Sequence, residues 1–337
     1  MKNTNAIAML VLTAWCSTAT AAETKPITVA ATGGDFATLQ AAIDALPKND
    51  KSPKLIVIQP GTYKQVVKID KSVSNLVIRG AGKTPADTVL TFDNYAQKKD
   101  EKGNNIGTRG SASVVIEGSD ITCENLTFEN SAGDIGQAVA LRTAGDRLVF
   151  RKCRLTGWQD TLYDNDGRHY YEDCYIEGRV DFIFGRGVTV FNRCELKSKN
   201  GGYVTAASTN EKEPYGYVFL DCKLTHDPKP FTGSGGDAPV PTYLGRPWRP
   251  MASTIFIRCD MGPHIRAEGW SEWKDDKGQP KPARYAEFAS TGPGANAEKR
   301  VAWSKQLTKA EAEAITIESV LSGKDGWNPM LNIENDH

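Results

Sequence analysis

The chain has 337 residues, 39% of them hydrophobic, and its 41 basic side chains are balanced by 41 acidic ones. That balance argues against a nucleic-acid partner, which would need an extended basic face. Beyond the N-terminal segment no run is apolar and long enough to cross a bilayer, so neither nucleic acid nor membrane is expected as a partner.

In chain order, the first element reads as an export signal over 1–22: Lys2, an apolar run from Ala6 to Trp15, then small residues ending in Ala19-Thr20-Ala21. Its removal predicts a secreted protein with one domain over 23–337. Cys16 falls inside this segment, and bulky Trp15 beside it speaks against a lipid anchor. Residues 28–47 hold a short strand and then a helix, with Leu39, Ala42, Ile43 and Leu46 at helical spacing. This helix is expected to plug the end of a sheet that would otherwise stay open. Two β-rich runs, 54–69 and 74–82, are punctuated by Pro60-Gly61 and Gly80-Ala81-Gly82. Polar Asn94 to Gly107 reads as a surface loop, and 108–130 and 137–150 are again β-rich.

From Phe150 to Leu196 one pattern, aromatic-x-x-Cys-x-aliphatic, occurs three times: Phe150/Cys153/Leu155, Tyr171/Cys174/Ile176 and Phe191/Cys194/Leu196. It returns at Phe219/Cys222/Leu224 and Phe256/Cys259/Met261, so the cysteines lie 21, 20, 28 and 37 residues apart. A period this short predicts coils that bury their apolar faces by stacking, a parallel β-helix rather than helical repeats of about 33 residues. The longer intervals read as insertions looped out of a coil. Cysteine and aliphatic, two apart, share one face of a strand, whereas the aromatic three residues before the cysteine would face the other way. A bend just before each cysteine, at Lys152, Asp173, Arg193, Asp221 and Arg258, would bring both inward.

Six cysteines remain after the signal, with no C-x-x-C spacing to suggest zinc or redox chemistry. For an oxidising compartment the first choice of disulfide is Cys174–Cys194, one coil apart. The alternative is a ladder of small buried hydrophobes. Downstream, 225–248 is rich in Gly and Pro and reads as the insertion of the longest interval. Residues 269–300 are irregular and carry Trp270 and Trp273, which suit either sugar contacts or loop packing. A helix follows from the capping pattern Thr308-x-x-Glu311 through Ile315.

The chemistry is narrowed by absences: four histidines, no G-x-S-x-G elbow, no zinc spacing and no nucleotide loop. No metal or cofactor is implied. Polar groups instead recur at the coil period, Gln137, then Gln159-Asp160 after 22 residues, then Asp181 after 21 more. Stacked coils are about 4.8 Å apart, so Asp160 and Asp181 become neighbours. Two such carboxylates do not ionise together easily, which provides an acid and a base at one pH.

On GQAVALR (136–142), GWQDTLY (157–163), RVDFIFG (179–185) and YLGRPW (243–248), in that order, the chain resembles the pectin methylesterase family, in its exported bacterial type. The resemblance runs from about Thr28 to Asn328. It implies an all-β, right-handed parallel β-helix with a short N-terminal capping helix and C-terminal helix and loops. It also implies a carboxylic ester hydrolase acting, as a monomer, on methyl-esterified pectin. By the same resemblance Asp181 is the nucleophile, Asp160 the acid and then base, Gln159 and Gln137 the oxyanion stabilisers, and Arg246 the residue orienting Asp181. Thr108 and Trp248 contact substrate, and Tyr163 and Phe184 are cleft aromatics. Arg186-Gly187 departs from the Asn-Ala of many plant members and bears on the charge preference of the cleft. The rivals are a β-helix lyase, which needs an acidic calcium cluster, a glycosidase with carboxylates astride a glycosidic bond, and a non-catalytic carbohydrate-binding solenoid.

Overall fold

Each sequence repeat is one coil of three short strands, and the coils stack into parallel sheets of 11, 8 and 7 strands. The fold is a right-handed parallel β-helix. The computed structural model describes residues 25–227, 240–275, 277–278 and 280–331. The export signal, Cys16 and His337 lie outside the described residues.

Register places Phe150 opposite Tyr171, Tyr171 opposite Phe191, Phe191 opposite Phe219 and Phe219 opposite Phe256. Their rings stack at centroid distances of 4.5, 4.9, 4.5 and 4.3 Å, close to parallel. Each such pair contributes about 0.5–1.5 kcal/mol beyond area burial. The bends fall where the sequence puts them: Lys152, Asp173, Arg193, Asp221 and Arg258 all have φ between 50° and 53°. A single left-handed residue turns the chain from the 11-stranded sheet into the 8-stranded one, so that cysteine and aromatic both enter the core.

The disulfide expectation is overturned. All six described cysteines are free and buried. Cys153, Cys174, Cys194, Cys222 and Cys259 stack in register, and in-register side chains run parallel instead of converging as a disulfide requires. Each thiol donates to a carbonyl of the preceding coil: Cys174 to Phe150 at 3.4 Å, Cys194 to Tyr171 at 3.5 Å, Cys222 to Phe191 at 3.3 Å. Cys123 is no member of this ladder. It pairs with Phe150, at the place an aromatic holds in later coils, and its carbonyl accepts from Cys153.

The helix Leu39–Asp44, capped by the Thr38 side chain, buries Leu39, Ala42 and Ile43 on the first coil, as the plug reading expects. At the other end Trp270 is buried between Phe256 and Tyr285. The C-terminal helix is two short ones, Lys309–Glu313 and Ile317–Leu321, because Thr316 starts a second capping box. They cover the outer face of the 11-stranded sheet through Ala312, Val320 and Leu321. Half of the insertion read at 225–248, residues 228–239, lies outside the described residues, and its last part is regular: Thr242–Gly245 forms a strand of the 7-stranded sheet.

Candidate functional site

The site lies on the outward face of the 7-stranded sheet, where corners precede the strands Leu162–Asp164 and Ile183–Gly185. Leu162 is opposite Ile183, so Asp160 and Asp181, two residues upstream on each coil, stand at equivalent positions. Both have left-handed backbone, φ 66° and 52°. That conformation costs a non-glycine residue about 1–2 kcal/mol, and aspartate tolerates it better than most. Gln137 and Gln159 form a parallel bridge directly beside them. Polar side chains therefore stand at this corner on three successive coils, Gln137 on the first, Gln159 and Asp160 on the second, and Asp181 on the third.

Arg246 reaches this corner from the end of the strand Thr242–Gly245, whose backbone lies against Thr205. A Cβ on Gly245 would come within 2.0 Å of the Thr205 hydroxyl, so glycine permits the close approach. The guanidinium donates from Nε to Asp181 Oδ1 at 2.9 Å and from Nη2 to Oδ2 at 2.7 Å, a two-pronged pair. It is held between the rings of Tyr203 and Trp273, at 3.9 and 4.2 Å. Asp160, by contrast, accepts no side-chain hydrogen bond from the described residues.

The two carboxyls differ electrostatically as a result. They are only 7% and 6% exposed. Burial, reinforced by the Asp181 charge and opposed by Arg246, pushes Asp160 well above the ordinary carboxylate range. Burial also raises Asp181, but there the Arg246 hydrogen bonds and charge act directly against it. Both groups are raised, and Asp160, without the forked arginine, is the more strongly held to its proton.

Around the pair opens a cleft of about 810 Å³. Its polar lining includes Gln137, Gln159, Asp160, Asp181 and Arg246, and its floor Tyr163 and Phe184, stacked at 4.3 Å, with Trp248 beside Phe184 at 5.9 Å. Thr108 enters from the helical turn Gly107–Gly110. All nine residues expected at the site are brought together here. Trp273 joins them, while Trp270 is a core residue. Sequence reasoning missed Tyr203, although it lies 22 residues after Asp181, one coil on. It also missed Arg109 and Arg249, which line the cleft without any periodic signal.

Arg186 pairs with Asp166 at 2.6 Å, and neither it nor Gly187 is among the residues lining the cleft. His169 sits fully buried against Asp164 with Nε2 on the Gly145 carbonyl at 2.9 Å. Among the described residues no three or more His, Cys, Asp or Glu side chains are grouped as metal ligands.

The family model for pectinesterases matches residues 26–324. Pectinesterase 31 of Arabidopsis thaliana is 39% identical over 298 residues, covering 86% of this chain and 90% of that protein. Among solved structures, the pectin methylesterase from carrot superposes with a TM-score of 0.79 at 30% identity, covering 91% and 96% of the two chains. A pectin methylesterase in complex with a hexasaccharide superposes with a TM-score of 0.78 at 30% identity, covering 90% and 97%.

Proposed function

This chain belongs to the pectinesterase family and hydrolyses the methyl esters of pectin, and we propose that it does so through Asp181 as nucleophile and Asp160 as acid and base. The observation that carries this assignment is the unequal pair: equivalent positions on adjacent coils, with Arg246 bonded to one carboxylate alone. The ionised Asp181 attacks the carbonyl carbon of a galacturonate methyl ester. The negative charge that develops on the carbonyl oxygen is met by the amides of Gln137 and Gln159; one such donor is worth on the order of 3 kcal/mol in the transition state. As the tetrahedral adduct collapses, the C–O bond to the methoxy group breaks and Asp160 gives its proton to that oxygen, so methanol leaves. The mixed anhydride on Asp181 is then attacked by water, whose proton Asp160 takes. The acyl bond breaks, the free galacturonate departs, and both aspartates regain their starting states.

Thr108, Tyr163, Phe184 and Trp248 hold the sugar chain in this reading, the aromatics offering flat apolar faces to the rings. In this reading residues 1–22 direct export, so the enzyme meets pectin outside the cell; the exported bacterial type is part of the proposal alone, since Pectinesterase 31 and the carrot enzyme come from plants. The domain reading of one unit over 23–337, acting as a monomer, accompanies it. The test is a three-product assay on methylated pectin, with and without a chelator, following methanol, unsaturated uronide and new reducing ends. Methanol alone, insensitive to chelation, is expected. Unsaturated product lost on chelation would indicate a lyase, reducing ends a glycosidase, and binding without any product a non-catalytic solenoid.

A further inference from the structure

The loop 94–107 reads from sequence as solvated polar surface, yet it is tied at two points to Gln137. The Ala96 amide donates to the Gln137 carbonyl at 2.8 Å. The Gln97 side-chain Nε2 donates to the Gln137 side-chain Oε1 at 3.1 Å. The loop is braced from behind: Gly107 N bonds Ala96 O at 2.9 Å, Ile106 N bonds Lys98 O at 2.9 Å, and Lys98 pairs with Asp93. Gly136 leaves the room this requires, since a Cβ there would come within 2.9 Å of Gln97 Oε1.

A primary amide has one acceptor oxygen and one donor nitrogen, and to stabilise an oxyanion it must turn the nitrogen inward. Gln137 in isolation has no reason to prefer that rotamer over its flip. With its oxygen engaged by Gln97, a flip of Gln137 alone would set two NH2 groups against each other. We propose that Gln97 is a positioning residue: it does not line the cleft, but it fixes the Gln137 amide with its N–H bonds toward the substrate carbonyl. The proposal rests on the reading of Gln137 as an oxyanion donor.

Steady-state kinetics on methylated pectin, with the full chain, test it. The variants are Gln97→Ala, Gln97→Glu, Gln137→Ala and the Gln97→Ala/Gln137→Ala pair. Gln97→Ala should lower kcat about three- to tenfold with little change in KM. Gln97→Glu should lower it further, because an ionised carboxylate only accepts and draws the Gln137 NH2 away from the cleft. The double variant should be no slower than Gln137→Ala alone. If Gln97→Glu is at least as active as Gln97→Ala, or if the two losses multiply in the double variant, the positioning role is overturned. A lost kcat in Gln137→Ala with unchanged Gln97 variants overturns the positioning role alone. A wild-type kcat in Gln137→Ala overturns the oxyanion reading and this one together.

Discussion

Asp160 and Asp181 occupy equivalent corners of successive coils, yet Arg246 gives both its forked hydrogen bonds to Asp181. The repeat makes two like carboxyls; an arginine 65 residues beyond Asp181 makes them unlike. In the proposed mechanism the acid–base division follows from that asymmetry, because the burial of the two groups is nearly the same.

Asp181→Ala is expected to remove methanol release by about 10⁴-fold or more. Its circular dichroism and thermal unfolding should stay native-like, since the side chain faces the cleft. A folded variant that keeps substantial turnover removes Asp181 from the nucleophile role.

Arg246→Ala takes the counter-charge from a buried carboxylate, a loss of about 3–5 kcal/mol in comparable pairs. Burial already raises Asp181, and without the arginine nothing opposes it. Turnover should collapse at neutral pH, and the acidic limb of the residual pH–rate profile should move to higher pH. Arg246→Lys keeps a charge but not the fork between Tyr203 and Trp273, and should fall between. A pH profile with an unmoved acidic limb in both variants contradicts the assignment.

For Asp160 activity and stability should move in opposite directions. Burial and the Asp181 charge lift it well above its ordinary 3.8, so the fold favours its protonated form. The stability this group contributes is complete below its unfolded pKa and is lost as pH rises through its folded pKa. Asp160→Asn should therefore raise the Tm at about pH 7 and do so less at about pH 3.5, while kcat drops by about 10²–10⁴-fold. Calorimetry at the two pH values gives the answer, and a Tm that falls equally at both contradicts the buried-proton account.

The stacked thiols predict a protein indifferent to reductant. Thiol titration of the unfolded mature chain should find six free cysteines, and dithiothreitol should leave the Tm unchanged. A disulfide of ordinary strength would instead reveal itself by a loss of about 2–4 kcal/mol on reduction.

Much of the fold is legible without coordinates because, in a solenoid, sequence separation by one period is spatial adjacency. Asp160 and Asp181, the aromatic ladder, and even the five bends before the cysteines follow from spacing and strand parity; that each bend is a left-handed residue is seen only in the structure. The same logic misled at Cys174 and Cys194. One period apart means parallel side chains as well as near ones, and parallel thiols bond to backbone carbonyls before they bond to each other. Trp270 and Trp273 show the other limit: three residues apart, one closes the core and one clasps Arg246.

The sequence by itself determined the coil, its direction-changing corners and the stacking of two aspartates beside two glutamines, since each depends only on counting along a regular backbone. The pairing of Arg246 with Asp181 came from family resemblance and not from counting, and only the tertiary structure decided how Tyr203 and Trp273 hold that arginine and that Gln97 grips Gln137 from a loop. Those contacts join segments separated by insertions, where the number of intervening residues no longer measures distance. They exist only once packing has brought the segments together.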